Sequence, residues 1–151
     1  MQNTFEISQS SRNILLKFLE NHTLEELNKI PDGFSNNLIW NIAHIVVVQQ
    51  MLVYKLSGLS MMISDEMVDK YKKGTKPENF VTHSEVDEIK ELLFSTLEQS
   101  KEDFANDIFD EYMPFTTVTG FHIKSSQMAM EFSNYHEATH IGIMMQIKKF
   151  I

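Results

Sequence analysis

Apolar residues recur along this chain at helical spacing in four long stretches, separated by polar connections that hold most of its glycines and prolines. Ile7, Ile14, Leu15, Phe18 and Leu19 form one such series, and Asn3 with Glu6 resembles a capping box, predicting a first helix over residues 4–21. Thr23 and Glu26 form a cleaner capping box for a short extra helix that Pro31-Asp32-Gly33 ends. Ser35-Asn36 then opens a helix running to Ser57, where Gly58 stops it. From Leu38 to Tyr54 this helix is apolar on nearly every face. A helix of that kind is deeply buried or shared with another subunit, so a homodimer is expected.

Residues 59–80 read as a connection, with a helical turn at Asp65–Lys73 and a break at Gly74-Thr75-Lys76-Pro77. Thr82 and Glu85 cap a helix over 83–105 that turns Val86, Ile89, Leu92, Leu93, Thr96 and Leu97 inward. Between Ile108 and Phe121 the pattern changes. Pro114, the run Thr116 to Thr119 and Gly120 predict an extended loop or short hairpin. Ser125 or Ser126 caps the last helix, whose end carries Lys148 and Lys149 where cations suit the helix dipole. The expectation is an all-α single domain over residues 1–151, four main helices in one bundle. The two longer connections leave the order of helix directions open.

Composition narrows the function. A formal charge of −8 and a pI near 5.2 disfavour a nucleic-acid partner, which demands a basic face. The one basic cluster, Lys70, Lys72, Lys73 and Lys76, reads as a solvated turn, and the acidic runs Glu85–Glu91 and Glu102–Glu111 as solvated helix faces. Six methionines, Met61, Met62, Met128, Met130, Met144 and Met145, read as core filler. No apolar stretch reads as a membrane span and the start Met1 to Ser8 lacks a basic leader, so a cytoplasmic protein is expected. The chain has no cysteine, which leaves only imidazole and oxygen as metal donors and requires any thiol to arrive on a small molecule. Five scattered glycines make no phosphate-binding loop, and no serine sits in a nucleophile elbow.

The residues that carry chemistry are histidines. His136-Glu137-Ala138-Thr139-His140 sets two imidazoles four apart on the last helix, where side chains share one face and can converge on one ion. Stepping from that pair in threes and fours meets Ala129, Phe132, Ile143 and Ile147, so the pair is expected to point inward. His44, one turn after Trp40 on the apolar third stretch, is the best third ligand, because bundle metal sites are assembled from facing helices. His22, His83 and His122 lie at helix edges or in a loop. A single inward histidine is more often hydrogen-bonded within a core, and that alternative stands for His44. Glu137, about 100° round the helix from its neighbour, reads as a support or an exposed residue rather than a base.

These segments resemble the DinB/YfiT-like superfamily. Asn37-Leu38-Ile39-Trp40-Asn41-Ile42-Ala43-His44-Ile45 resembles its second-helix segment, and His136-Glu137-Ala138-Thr139-His140-Ile141-Gly142 its last-helix His-x-x-x-His-x-Gly. The Lys73-Gly74-Thr75 turn is similar too. The resemblance implies a four-helix bundle of up-down-down-up order, often dimeric, with His44, His136 and His140 holding nickel, zinc or a similar divalent ion. It also implies a metal-dependent transferase or isomerase acting on a small molecule with a low-molecular-weight thiol such as bacillithiol, mycothiol or glutathione. One position departs: Ile143 stands where the family often has Gln. Two other functions remain open. His-Glu-x-x-His is also the zinc-hydrolase signature, with Glu137 as general base. A non-catalytic helical dimerisation or binding module is the third.

Overall fold

The computed structural model describes all 151 residues. Six α-helices dominate: α1 (Gln2–Glu20), α2 (Leu24–Asn28), α3 (Leu38–Val53), α4 (Asp65–Tyr71), α5 (His83–Ala105) and α6 (Ser126–Ile147). A two-stranded antiparallel hairpin, β1 (Phe115–Thr116) with β2 (His122–Ile123), precedes α6 and pairs Phe115 with Ile123. The long helix α3 packs against α6 and α5, and α1 packs against α5 and α6. The fold is therefore all-α in character.

Local signals set most of these elements. Thr23–Glu26 and Thr82–Glu85 form full capping boxes, and Ser125 accepts from Met128 N–H at the start of α6. Asn37, rather than Ser35 or Asn36, caps α3 by accepting from Trp40 N–H at 2.9 Å. That helix also stops earlier than its apolar run suggests. It ends at Val53, and a 3₁₀ turn over Lys55–Ser57 leads into Gly58, whose φ of 71° is left-handed. The helical turn expected at Asp65–Lys73 is α4, closed at Tyr71 and capped by Ser64.

Several expectations need correction. The first helix has no side-chain cap; Asn3 lies inside it, and Glu6 accepts from Gln2 instead. Its inward line runs through Phe5, Ser8, Arg12, Leu15 and Leu19, leaving Ile7 and Ile14 exposed. Met145 is exposed as well, so it fills no core. Lys70 does not lie in a solvated turn. It projects from α4 to the carboxylate of Glu85, which is consequently no free acid on a solvated face.

Helix α3 is the centre of the molecule. All its residues except Val48 and Met51 are buried, covered by α1, α2, α4, α5 and α6 of the same chain. The stretch Leu38–Ser57 is in fact long and apolar enough to cross a membrane, contrary to the sequence reading, but 83% of its most apolar window is buried inside the protein. Its hydrophobicity is thus used within the chain, and α3 keeps no free face for a second subunit. The apolar core lies in two parts, one around Leu15, Trp40 and Met144, the other around Val53, Ile123 and Ala129.

Candidate metal centre

The packing of α3 on α6 brings His44, His136 and His140 together. One ring nitrogen from each lies within 4.8 Å of the others, and the ring centroids stand 4.5–5.2 Å apart. His44 is buried; His136 and His140 are half-buried, so the pair lies at the edge of the core rather than in it. The most buried line of α6 runs instead through Ser133, Glu137, Ile141 and Met144. The other three histidines are elsewhere. His22 bonds the carbonyl of Phe18, His122 bonds Thr116, and His83 opens α5.

Hydrogen bonds fix two of the rings. His44 Nδ1 lies 2.6 Å from the carbonyl oxygen of Tyr71, which only accepts, so Nδ1 carries the proton and Nε2 keeps its lone pair. His140 Nδ1 lies 2.7 Å from Asn41 Oδ1. Asn41 cannot turn its amide round, because Nδ2 donates to Asn37 O at 2.7 Å and to Asn36 Oδ1 at 2.9 Å. His140 Nε2 is therefore also bare, and it faces His136 Nε2 across 3.2 Å. Two nitrogens bound tetrahedrally at zinc distances of 2.0–2.1 Å stand about 3.3–3.4 Å apart. The donor set, its spacing and its outer hydrogen bonds thus fit a divalent ion. Trp40 completes the wall, its indole stacked on His44 with centroids 4.6 Å apart and planes at 13°.

Burial dominates the electrostatics. It pushes His136 down to about 3, helped by the neighbouring charges of His140, His44 and Arg12. It pushes His140 down to about 4, and lowers His44 against the raising effect of the Tyr71 carbonyl. All three are neutral, ligand-ready imidazoles at pH 7. Unfolded histidines take up protons near pH 6.5, while in the folded chain His140 refuses one until about pH 4 and His136 until about pH 3, so the unfolded state gains as pH falls. The metal-free protein is expected to lose thermal stability steadily from about pH 6.5 down to about 4. A His136→Gln/His140→Gln variant should show a shallower fall in the same thermal melts; equal slopes would contradict this.

Beneath the histidines lies a buried ion pair that the sequence reading missed. Arg12 of α1 donates from Nε and Nη2 to Glu137 Oε1 at 3.1 and 2.7 Å, with both side chains essentially inaccessible. Burial raises the Glu137 carboxyl, and the Arg12 charge opposes it. Glu137 is thus neither exposed nor bonded to one of the histidines, as the two expected roles required; its carboxylate faces Arg12 of α1. Asn41 and Tyr71 were also missed. Asn41 sits one turn before His44, where a search for polar residues on the ligand face finds it; the Tyr71 contact is made by backbone and leaves no trace in side-chain pattern. Ile143 packs against the apolar core and brings no polar atom to the site.

Residues 9–144 match the family described as the DinB superfamily. The chain belongs to the DinB superfamily. That match takes in His44, His136 and His140 and the α1 segment holding Arg12. No curated protein matches this DinB-superfamily chain.

Proposed function

We propose that this DinB-superfamily protein is a metal-dependent enzyme in which His44, His136 and His140 hold one nickel, zinc or similar divalent ion. The observation that carries this reading is the pair of bare Nε2 atoms on His44 and His140, fixed by Tyr71 and Asn41, converging on His136. An ion held there lowers the pKa of a coordinated thiol or water and so supplies a nucleophile at neutral pH. Three protein ligands leave a further position for that group. With no cysteine in the chain, a thiol-transfer reaction takes its sulfur from a low-molecular-weight cosubstrate.

The chain's own residues do the rest. Tyr71 and Asn41 hold protons on the outer nitrogens of His44 and His140, and Trp40 keeps water from one face of His44. A cavity of about 200 Å³ opens beside Trp40 and Tyr71, with Thr75 and Lys76 in its wall. The same reading takes α1, α3, α5 and α6 as a four-helix bundle of up-down-down-up order. A zinc peptidase is a poorer fit. Its general base would be Glu137, whose carboxylate is tied to Arg12 inside the protein, and the only strands are two residues long.

The test is elemental analysis of untagged protein followed by thiol titration. About one ion per chain is expected after incubation with nickel or zinc, and glutathione or bacillithiol should shift the visible spectrum of the cobalt-loaded protein. Protein that stays metal-free through that incubation overturns the metal site. A cobalt spectrum indifferent to both thiols overturns the thiol reaction alone.

A further inference from the structure

Helix α3 is covered along its whole length except at Val48 and Met51. These stand four and seven residues beyond His44, so the one line on which the central helix opens is the line of that ligand. Helix α6 opens in the same way. Met128, Phe132, His136, His140 and Ile143 follow one another at steps of four, four, four and three residues, and each is half-buried. Contacts between the helices fix how the two lines meet. Asn41 bonds His140, the His44 and His136 rings stand 5.2 Å apart, and Gln49 Nε2 lies 3.7 Å from Met130 Sδ. Advancing on α3 is therefore retreating on α6, and one turn past the ligands Val48 comes opposite Phe132. Both side chains pack on the second part of the core, as does Met128. Phe121 of the hairpin, 46% exposed, stacks flat on Phe132 with centroids 5.7 Å apart and planes at 11°.

Val48, Met51, Met128 and Phe132 thus extend the half-open strip away from the ligands without a charge, an amide or a hydroxyl, in a chain with 23% charged residues. Apolar side chains left partly open beside a ligand set cost free energy that an apolar guest recovers. A charged guest would instead lose its water against side chains that offer no hydrogen bond. We infer that this strip seats an uncharged aromatic part of the molecule that reacts at the centre, with Phe121 and Phe132 as its platform. A ring suits the place because the stacked pair offers faces and edges to which a third ring adds at about 4.5–7 Å. The inference rests on the metal-dependent reading above: the ion takes the reacting group and the strip takes what is attached to it. Glutathione and bacillithiol carry charges that the strip cannot pair, so its guest is the other reactant.

Calorimetric titration of the zinc-loaded full chain with benzohydroxamate and acetohydroxamate tests the strip, because the two share a metal-binding head and differ by phenyl against methyl. Benzohydroxamate should bind at least about tenfold more tightly. Its 4-carboxy derivative should lose that advantage. Phe132→Ala, and Phe121→Ser in the exposed hairpin where folding is not at stake, should each cut the preference at least about threefold and leave acetohydroxamate unaffected. Equal affinities, or no heat from either compound on loaded protein, overturn the strip and leave the ion in place. A preference that survives both substitutions overturns the platform, and one that survives the carboxylate overturns the uncharged guest. A chain that elemental analysis finds metal-free overturns the metal-dependent reading itself, and this inference with it.

Discussion

Replacing His44, His136 or His140 by alanine is expected to abolish metal retention while leaving the far-ultraviolet circular dichroism of the protein unchanged. Each residue supplies one of three nitrogens, and two nitrogens alone make an open chelate that dialysis strips. Asn41→Ala should behave differently. It keeps every ligand but frees the His140 ring to choose its tautomer, and outer hydrogen-bond partners of this kind are worth about 10–100-fold in metal affinity. Competition against a coloured chelator reads both effects on one scale. Full occupancy in any histidine variant would remove that residue from the proposed ligand set, and an unaltered affinity in Asn41→Ala would reduce the asparagine to a bystander.

The second large effect concerns stability. Arg12 and Glu137 are 0% and 1% exposed, and only one oxygen of the carboxylate is engaged. Arg12 Nη1 and Glu137 Oε2 have no protein partner. Removing one member strands the other charge in the interior, so Arg12→Ala or Glu137→Ala should each cost about 3–5 kcal/mol. For a domain of this length that lowers the thermal midpoint by about 10 °C or more. The double replacement Arg12→Met/Glu137→Leu removes both charges and their desolvation together, and should regain most of the loss. Differential scanning calorimetry of the three variants settles it. Single variants within about 1 kcal/mol of wild type would mean that water already solvates the pair.

How much of this was legible in the sequence depended on how local the cause was. The capping boxes at Thr23 and Thr82 and the Ser125 cap were readable because each is decided within four residues. The convergence of His136 and His140 follows from helix geometry alone. The face of α1 was not readable by hydrophobicity. Ser8 and Arg12 take inward places because they meet Asn134 and Glu137 of α6, more than a hundred residues away, while Ile7 and Ile14 are left outside. For α3 the burial was legible but its cause was not, since a continuous apolar helix looks the same whether neighbours come from its own chain or another. Glu137 was ambiguous for a related reason. Its position on the helix was clear, but only the partner on α1 explains a charge in the core.

The contact between Trp40 and His44 has a use of its own. Trp40 is the only tryptophan in the chain, so all emission excited at the red edge of its absorption arises in van der Waals contact with the candidate ligand. The molecule therefore carries a built-in optical gauge of the centre. Paramagnetic nickel or copper arriving there should darken the protein, while zinc, having a filled d shell, should only recolour it. Occupancy, exchange between ions and the approach of a thiol become visible in real time, without any label attached.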